Sequence, residues 1–168
     1  MKKNILLIGM PGCGKTSLGK TLARELDMEY VDMDIYIEKK TGKRVSELFD
    51  ISEDHFRNIE TKISEELSKK ENILVSAGGG IVLRKENINC FKPDFNIIFI
   101  NRSVKNILKS KNLGKNRPLL KNNESHIYDL YNERIDLYKK YCDFEVKNDG
   151  YFRYCIEEIK NKIFVEKS

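Results

Sequence analysis

The sequence predicts an α/β fold in which a parallel β-sheet is flanked by helices. Short apolar runs alternate along the chain with stretches of helical period, which favours parallel strands joined by right-handed crossovers. The first, third and fourth runs are apolar nearly throughout, as expected of central strands that are covered on both faces. The chain has 168 residues, a length that suits one domain, so we expect 1–168 to be a single domain.

Each predicted element follows from a local pattern. Five apolar runs predict the strands, which are Ile5–Ile8, Tyr30–Met33, Ile73–Ala77, Ile97–Ile100 and Phe144–Val146. Apolar residues repeating every three or four positions predict the helices. These are Lys15–Leu26, Asp34–Lys40, Ser46–Ser68 with a break near Ser52, Ser103–Lys109, Glu124–Tyr141 and Tyr151–Val165. Ala77–Gly80 and Lys111–Asn123 have neither period and are predicted to be irregular, the second as a loop.

The segment after the first strand fits the phosphate-binding motif G-x-x-x-x-G-K-[ST] at every position, from Gly9 to Thr16. Its glycines let backbone N–H groups turn towards phosphate oxygens, and the helix that follows adds its positive N-terminal dipole. Lys15 is expected at the β- and γ-phosphates and the Thr16 hydroxyl at Mg²⁺. A dinucleotide fingerprint fails because position 17 is Ser17. The predicted nucleotide-binding residues are Gly12, Cys13, Gly14, Lys15, Thr16 and Ser17.

Two carboxylates, Asp32 and Asp34, end the second predicted strand, where open α/β sheets bind their ligands. We expect the two carboxylates to do different jobs, with one near the metal's water shell and one facing an acceptor hydroxyl. The alternative is a polar strand end at which Asp34 only caps the next helix.

Gly78, Gly79 and Gly80 follow the third strand. Because three glycines are costly in entropy, we expect a group to pack against their backbone, although a plain loop is the alternative.

Three arginines are candidates for binding an anionic substrate. Arg57 and Glu60 lie three residues apart on one predicted helical face, so Glu60 could hold Arg57 for a bidentate contact with a carboxylate. The alternative is an ordinary surface ion pair. Arg117 lies in the basic irregular stretch, from which it could close over transferring phosphates. Arg134 lies in a later helix, and as solvated charges neither Arg117 nor Arg134 would have a function.

Together these residues resemble the shikimate kinase family of P-loop enzymes. The family motifs occur in order from Gly9 to about Val146. They are the phosphate loop with Pro11, Asp32-x-Asp34, Phe56-Arg57-x-x-Glu60, the triple glycine, Arg117-Pro118-Leu119-Leu120 and Arg134-x-x-Leu137-Tyr138. The phosphate loop alone is shared by very many nucleotide-binding proteins, whereas the ordered set is far more specific. The resemblance implies ATP-dependent phosphorylation of the 3-hydroxyl of shikimate, a step towards chorismate and the aromatic amino acids.

The resemblance also implies roles and an architecture. Asp34 would be the catalytic base, Lys15 and Arg117 would act at the ATP phosphates, and Asp32 would hold Mg²⁺ through water together with Thr16. The residues implied to bind shikimate are Asp34, Arg57, Gly78, Gly79, Gly80 and Arg134. The implied fold is a three-layer P-loop fold whose five parallel strands have the order 2-3-1-4-5. A shikimate-binding region at about 34–60 and a lid at about 111–123 complete it.

The chain departs from the family pattern at three places. Ser52 replaces a usual glycine and Cys142 a usual alanine. The C-terminal segment that contacts adenine in the family is matched loosely by Lys147–Gly150, and Arg153 is a weak candidate for the same role.

Composition limits the partners and the compartment. The net charge of +5 favours an anionic substrate, but basic and acidic residues are interspersed, so no nucleic-acid partner is expected. Four cysteines without Cys-x-x-Cys spacing and no apparent signal peptide predict a cytoplasmic protein. The N-terminal apolar run of five residues is too short to span a membrane. The family resemblance suggests a monomer that binds ATP and shikimate.

Two other functions remain open from the residues alone. Gluconate kinase, or another P-loop enzyme acting on a small alcohol, would share the loop and the fold, and gluconate is also a carboxylate. A nucleotide-dependent switch would share the loop without the transfer reaction. The guanine-reading motif Asn-Lys-x-Asp is absent from the chain, which argues against a GTPase.

Overall fold

The computed structural model describes residues 2–111 and 124–165. The five strands are β1 (Asn4–Ile8), β2 (Glu29–Asp32), β3 (Ile73–Ser76), β4 (Phe95–Asn101) and β5 (Phe144–Lys147). They form one sheet in the order β2-β3-β1-β4-β5, and every neighbouring pair is parallel. The predicted fold class and strand order are therefore confirmed, with strand ends shifted by no more than two residues from the sequence prediction.

Eight α-helices surround the sheet in the part of the chain that the structure describes. They are α1 (Lys15–Glu25), α2 (Met33–Thr41), α3 (Val45–Ile51), α4 (Glu53–Leu67), α5 (Lys85–Phe91), α6 (Val104–Lys111), α7 (Glu124–Tyr141) and α8 (Phe152–Val165). The predicted break at Ser52 is confirmed, because its hydroxyl accepts the His55 N–H at 3.0 Å and caps α4. Helix α5 and a 3₁₀ helix at Ile81–Leu83 were not predicted.

The core lies on both faces of the sheet. Every residue of β1 and β3 is buried, whereas the edge strands β2 and β5 are buried only in part. This difference follows from the sequence, because the central strands are apolar at successive positions that point to opposite faces. No helix within residues 2–111 and 124–165 combines the length and the apolar content that a membrane crossing demands.

The strand register brings the predicted site segments together. Ser76, at the end of β3, pairs with Leu7 near the end of β1 and with Asp32 at the end of β2. The segments that follow these three strands therefore leave the sheet side by side at its carboxyl edge. They are the phosphate loop, the start of α2 and the triple glycine, and open parallel sheets bind ligands at this edge.

One local expectation is wrong. Asp32 and Asp34 do not share a strand, because β2 ends at Asp32 and Asp34 lies in the first turn of α2. The Asp32 carboxylate accepts the Ile35 N–H at 3.1 Å, which satisfies a free donor of the new helix. The capping role considered for Asp34 therefore belongs to Asp32, and Asp34 remains available for another contact.

Candidate active site

The phosphate loop has a backbone shape that depends on glycine. Gly12 and Gly14 have φ angles of 81° and 101°, a region that other residues rarely adopt. The Cys13 N–H donates to the Met10 carbonyl at 3.1 Å and closes the turn. The side chains of Thr16 and Ser17 are exposed in the first turn of α1. Together with the N–H groups at this helix end, they form a surface suited to an anion.

The loop lysine is buried and held by the loop itself. Lys15 is 8% exposed, and its ammonium group donates to the carbonyls of Gly9 at 2.7 Å and Met10 at 2.9 Å. The cation therefore lies against the phosphate-binding backbone. Its predicted contact with the β- and γ-phosphates stays a prediction.

Arg57 and Glu60 form a buried ion pair in α4. Arg57 is 7% and Glu60 is 1% exposed, and Arg57 Nη1 donates to Glu60 Oε1 at 2.8 Å. The alternative of a surface ion pair is therefore wrong. Burial raises the pKa of Glu60, while the Arg57 and Arg134 guanidinium groups act in the opposite direction. The pair fixes one side of the Arg57 fork and leaves other donors for a ligand.

Aromatic rings hold the Arg57 guanidinium from a second direction. Its Cζ lies 5.4 Å from the Phe49 ring centre and 5.2 Å from that of Phe56, and these two rings stack at 4.3 Å. Such cation–π contacts restrict the side chain to one orientation. Phe56 was part of the sequence motif, whereas Phe49 was not identified because its function depends on the way α3 packs against α4.

The triple glycine packs against the predicted site residues, so the alternative of a plain loop is wrong. A Cβ atom on Gly80 would lie 2.6 Å from Arg57 Cζ, a distance that real Cβ atoms do not adopt. A Cβ atom on Gly78 would lie 3.1 Å from Asp34 Oδ1 and 3.4 Å from Glu60 Oε2. Bare backbone at both positions therefore lets the arginine and the two carboxylates approach the same loop.

Gly79 joins this loop to the phosphate loop and to α7. A Cβ atom there would lie 2.7 Å from Pro11 Cδ and 3.3 Å from Arg134 Nη1. Arg134 is 9% exposed. Its Nε, like that of Arg57, has no hydrogen-bond partner among the described residues. Two arginines with unused donors thus face a loop that also contacts the phosphate-binding segment, an arrangement that suits a small carboxylate beside a nucleotide.

Asp34 lies between the two halves of the site. The residue is exposed at the surface of the cleft, yet the many protein atoms around the carboxyl group desolvate it and raise its pKa. Asp32 raises it further, whereas Lys15 and Arg57 act in the opposite direction. Asp34 therefore interacts electrostatically with both Lys15 of the phosphate loop and Arg57 beside the triple glycine. A carboxylate of raised pKa is also a stronger base.

A cavity of about 310 Å³ lies next to the phosphate loop and was only partly identified from the sequence. Its lining residues are Gly14, Ser17, Arg102, Asn106, Asn148, Asp149, Gly150 and Phe152. Asn148 Nδ2 donates to the Cys13 carbonyl at 2.8 Å, which ties the segment after β5 to the loop. Arg102 Nη1 lies 3.4 Å from the Gly12 carbonyl. The available signal for Arg102 was its place directly after β4, at the carboxyl edge of the sheet.

One predicted residue lies away from the site, and another lies outside the described residues. Arg153, the weak candidate for adenine, pairs instead with Glu25 and Glu157 and does not line the cavity. Arg117 lies outside the described residues, as does the predicted lid apart from Lys111, the last residue of α6.

Known proteins resemble this chain over nearly its whole length. The shikimate kinase family matches residues 11–164. A shikimate kinase of Clostridium botulinum (strain Alaska E43 / Type E3) is 45% identical over 150 residues, which cover 89% of this chain and 90% of the relative. A structure of shikimate kinase from Acinetobacter baumannii in complex with shikimate has a TM-score of 0.90 at 31% identity, covering 99% of this chain and 96% of that one.

A gluconokinase from Sinorhizobium meliloti 1021 covers 99% of this chain with a TM-score of 0.66, but only 13% of the residues are identical. This likeness extends to the fold alone and does not favour the gluconate alternative. The family match and the close relatives agree with the ordered motifs around the triple glycine and the phosphate loop. The chain belongs to the shikimate kinase family and is an ATP-dependent kinase.

Proposed function

We propose that this chain transfers the γ-phosphoryl group of ATP to the 3-hydroxyl of shikimate, giving shikimate 3-phosphate and ADP. The supporting observation is the convergence of Asp34, Arg57 and Arg134 on a glycine loop that also touches the phosphate loop. In the reaction the acceptor oxygen forms a bond to the γ-phosphorus, the bond from that phosphorus to the β–γ bridging oxygen breaks, and the hydroxyl proton passes to Asp34. Positioning and charge stabilisation supply most of the acceleration.

Acceptor binding uses the two arginines. Shikimate is a ring carboxylate with three hydroxyls, and its carboxylate fits the free donors of Arg57 and Arg134. Gly79 lies beside Arg134 and Gly80 beside Arg57, so the ring would lie next to this loop. Asp34, beside Gly78, is then the base at the reacting hydroxyl.

At the donor side, Lys15 and the loop amides of residues 12–17 bind the phosphates. The oxygen donors beside them fit Mg²⁺, which prefers hard ligands and keeps several waters. The Thr16 hydroxyl is exposed at the helix start, and Asp32 ends the neighbouring strand, so Thr16 would bind the metal directly and Asp32 through water. When bound, Mg²⁺ neutralises charge that develops on the phosphates.

The remaining parts of the proposal rest on the family resemblance. Arg117 contacts the phosphates from a lid at about 111–123, and the acceptor-binding region spans about 34–60 of one kinase domain, 1–168. The enzyme works as a monomer in the cytoplasm and acts on small molecules, with no nucleic-acid or membrane partner.

The direct test is a coupled ADP-release assay with purified protein, ATP, Mg²⁺ and a panel of small alcohols. We expect shikimate to be phosphorylated and gluconate not to be. Turnover of gluconate without turnover of shikimate would reverse the assignment, and ATP binding without stimulation by any alcohol would indicate a nucleotide-dependent switch.

The Arg57→Ala variant should weaken acceptor binding much more than ATP binding. Loss of a charge-assisted, bidentate contact predicts an increase of about tenfold or more in the KM for shikimate, with the KM for ATP within about twofold. Steady-state kinetics with each substrate varied in turn measure both values. Arg84→Ala is a matched control, because Arg84 also contacts α4, through Asn58 and Asp54. Equal losses for both substrates would indicate a folding defect and not a binding role.

The Arg102→Ala variant should have the opposite selectivity. We propose that the nucleoside part of ATP occupies the cavity beside the phosphate loop, which Arg102 lines. The variant should raise the KM for ATP by about tenfold and leave the KM for shikimate within about twofold. Lys105→Ala, an exposed change in α6, is the control. An unchanged KM for ATP would remove Arg102 from the nucleotide site.

A further inference from the structure

Tyr138 is a buried tyrosine of α7 that the proposed reaction does not use. It lies one turn after Arg134, is fully buried, and stacks on Phe99 of β4 with ring centres 5.0 Å apart. Its hydroxyl donates to the Gly79 carbonyl at 2.5 Å. The ring therefore anchors the side chain in the core while the hydroxyl reaches the acceptor-side loop.

The hydroxyl acts as a permanent donor. Burial raises the pKa of Tyr138, and the nearby Arg134 guanidinium opposes this shift without cancelling it. The phenol therefore stays protonated at neutral pH and above. A buried carbonyl that loses such a donor is left unsatisfied, which is unfavourable.

The three carbonyls of the triple glycine accept hydrogen bonds from two kinds of donor, backbone N–H groups and the Tyr138 hydroxyl. The carbonyls of Gly78 and Gly80 accept the N–H groups of Ile81 at 3.2 Å and Leu83 at 3.1 Å, whereas the Gly79 carbonyl turns to Tyr138. Glycine is the residue with the greatest backbone freedom. Hydrogen bonds must therefore set the orientation of these peptide groups.

The contact with Tyr138 also sets the direction of a donor. The Gly79 carbonyl and the Gly80 N–H belong to one peptide group, and the described backbone contains no cis bonds. In a trans peptide these two groups point in opposite directions. Since the carbonyl points to Tyr138 on α7, the Gly80 N–H points away from α7.

We propose that Tyr138 is a positioning residue for the acceptor: it fixes the Gly79–Gly80 peptide, and through it the loop that lies between Pro11 and Arg134. This inference rests on the proposed function, because the bound acceptor is taken to be shikimate. Tyr138 touches neither substrate, and its effect is confined to the loop that shikimate contacts.

The Tyr138→Phe variant tests this role, because it removes the hydroxyl and keeps the ring stacked on Phe99. Loss of one hydrogen bond predicts that the Kd for shikimate rises about five- to tenfold, with the Kd for ATP within about twofold. The kcat at saturating shikimate should fall by less than about threefold on the same reasoning. Calorimetry with each ligand and steady-state kinetics supply the values. Tyr141→Phe, one turn further along α7 and also buried, is the matched control and should change none of them.

A second variant keeps the test decisive if Tyr138→Phe fails to fold. Gly79→Ala displaces the same loop, since its Cβ would lie 2.7 Å from Pro11 Cδ and 3.3 Å from Arg134 Nη1, and it should also weaken shikimate binding. An unchanged Kd for shikimate in either folded variant, or equal weakening of shikimate and ATP by Tyr138→Phe, would overturn the role of Tyr138. If the wild-type protein itself does not bind shikimate, the proposed function fails first.

Discussion

The Asp34→Asn variant is expected to lose phosphoryl transfer by about 10²- to 10⁴-fold in kcat, the usual contribution of a positioned general base. The amide has nearly the same shape as the carboxyl group but cannot accept the proton of the acceptor hydroxyl. The Kd for ATP should change by less than about threefold, because Asp34 faces the acceptor side and lies beside Gly78. Single-turnover kinetics and calorimetry with ATP separate the two quantities. A selective loss of ATP affinity would assign Asp34 to the nucleotide.

The same variant has an expected effect on stability. Burial and Asp32 raise the pKa of Asp34 in the folded protein, so folding favours the protonated form. Its contribution to stability is present below the unfolded pKa and is lost as the pH rises through the folded pKa. At neutral pH the ionised wild-type carboxylate is therefore unfavourable, and Asp34→Asn should have a Tm equal to or above that of the wild type. Asp50→Asn, an exposed change in α3, should leave both Tm and kcat unchanged.

Activity should depend on pH for the same reason. The base works only when ionised, so kcat/KM falls as the pH drops through the folded pKa of Asp34. That acid limb should lie above the ordinary aspartate value of about 3.9. A limb at or below that value would contradict the assignment of Asp34 as the base.

The Lys15→Ala variant is expected to lose phosphoryl transfer by about 10²-fold or more, because the transferring phosphates lose a preorganised cation. Shikimate binding should persist, since Arg57 and the triple glycine are unchanged. The loss of the ammonium group also leaves the carbonyls of Gly9 and Met10 without their donor, so Tm must be measured alongside kcat.

Two further variants separate charge from structure at this position. Lys15→Met keeps the buried stem without the charge and should lose as much activity as Lys15→Ala. Lys20→Ala, an exposed lysine of α1, should retain full activity. Near wild-type turnover in Lys15→Met would contradict the phosphate-binding role.

The strands, and the carboxyl edge of the sheet as the place of the site, were predicted from the sequence because both follow from local patterns. Apolar runs indicate central strands, and parallel strands have their carboxyl ends at one edge of the sheet. With the strand order that the family resemblance implied, the phosphate loop, Asp32 and Gly78 were expected to be neighbours. The ordered motifs added Arg57 and Arg134. These predictions required only spacing and the family resemblance.

Features that depend on tertiary packing were not predictable in the same way. Phe49 contacts Arg57 only because α3 folds against α4, and Arg102 lines its cavity only because β5 returns beside β4. The helix predicted from Asp34 begins at Met33, but the carboxylate that caps it was not predicted, because a strand end and a helix start look alike in sequence. Either residue of Asp32-x-Asp34 could have been the cap, and only the backbone distinguishes them.

The cap formed by Asp32 has a consequence for how the two carboxylates of the site move. Asp32 starts α2 by binding the Ile35 N–H, and Asp34 lies between these two residues on the same short arc of chain. Any tilt of α2 while ligands enter or leave must carry both carboxylates together. If Asp32 and Asp34 have the proposed roles, the metal-side carboxylate and the base would therefore move as one unit whenever α2 moves.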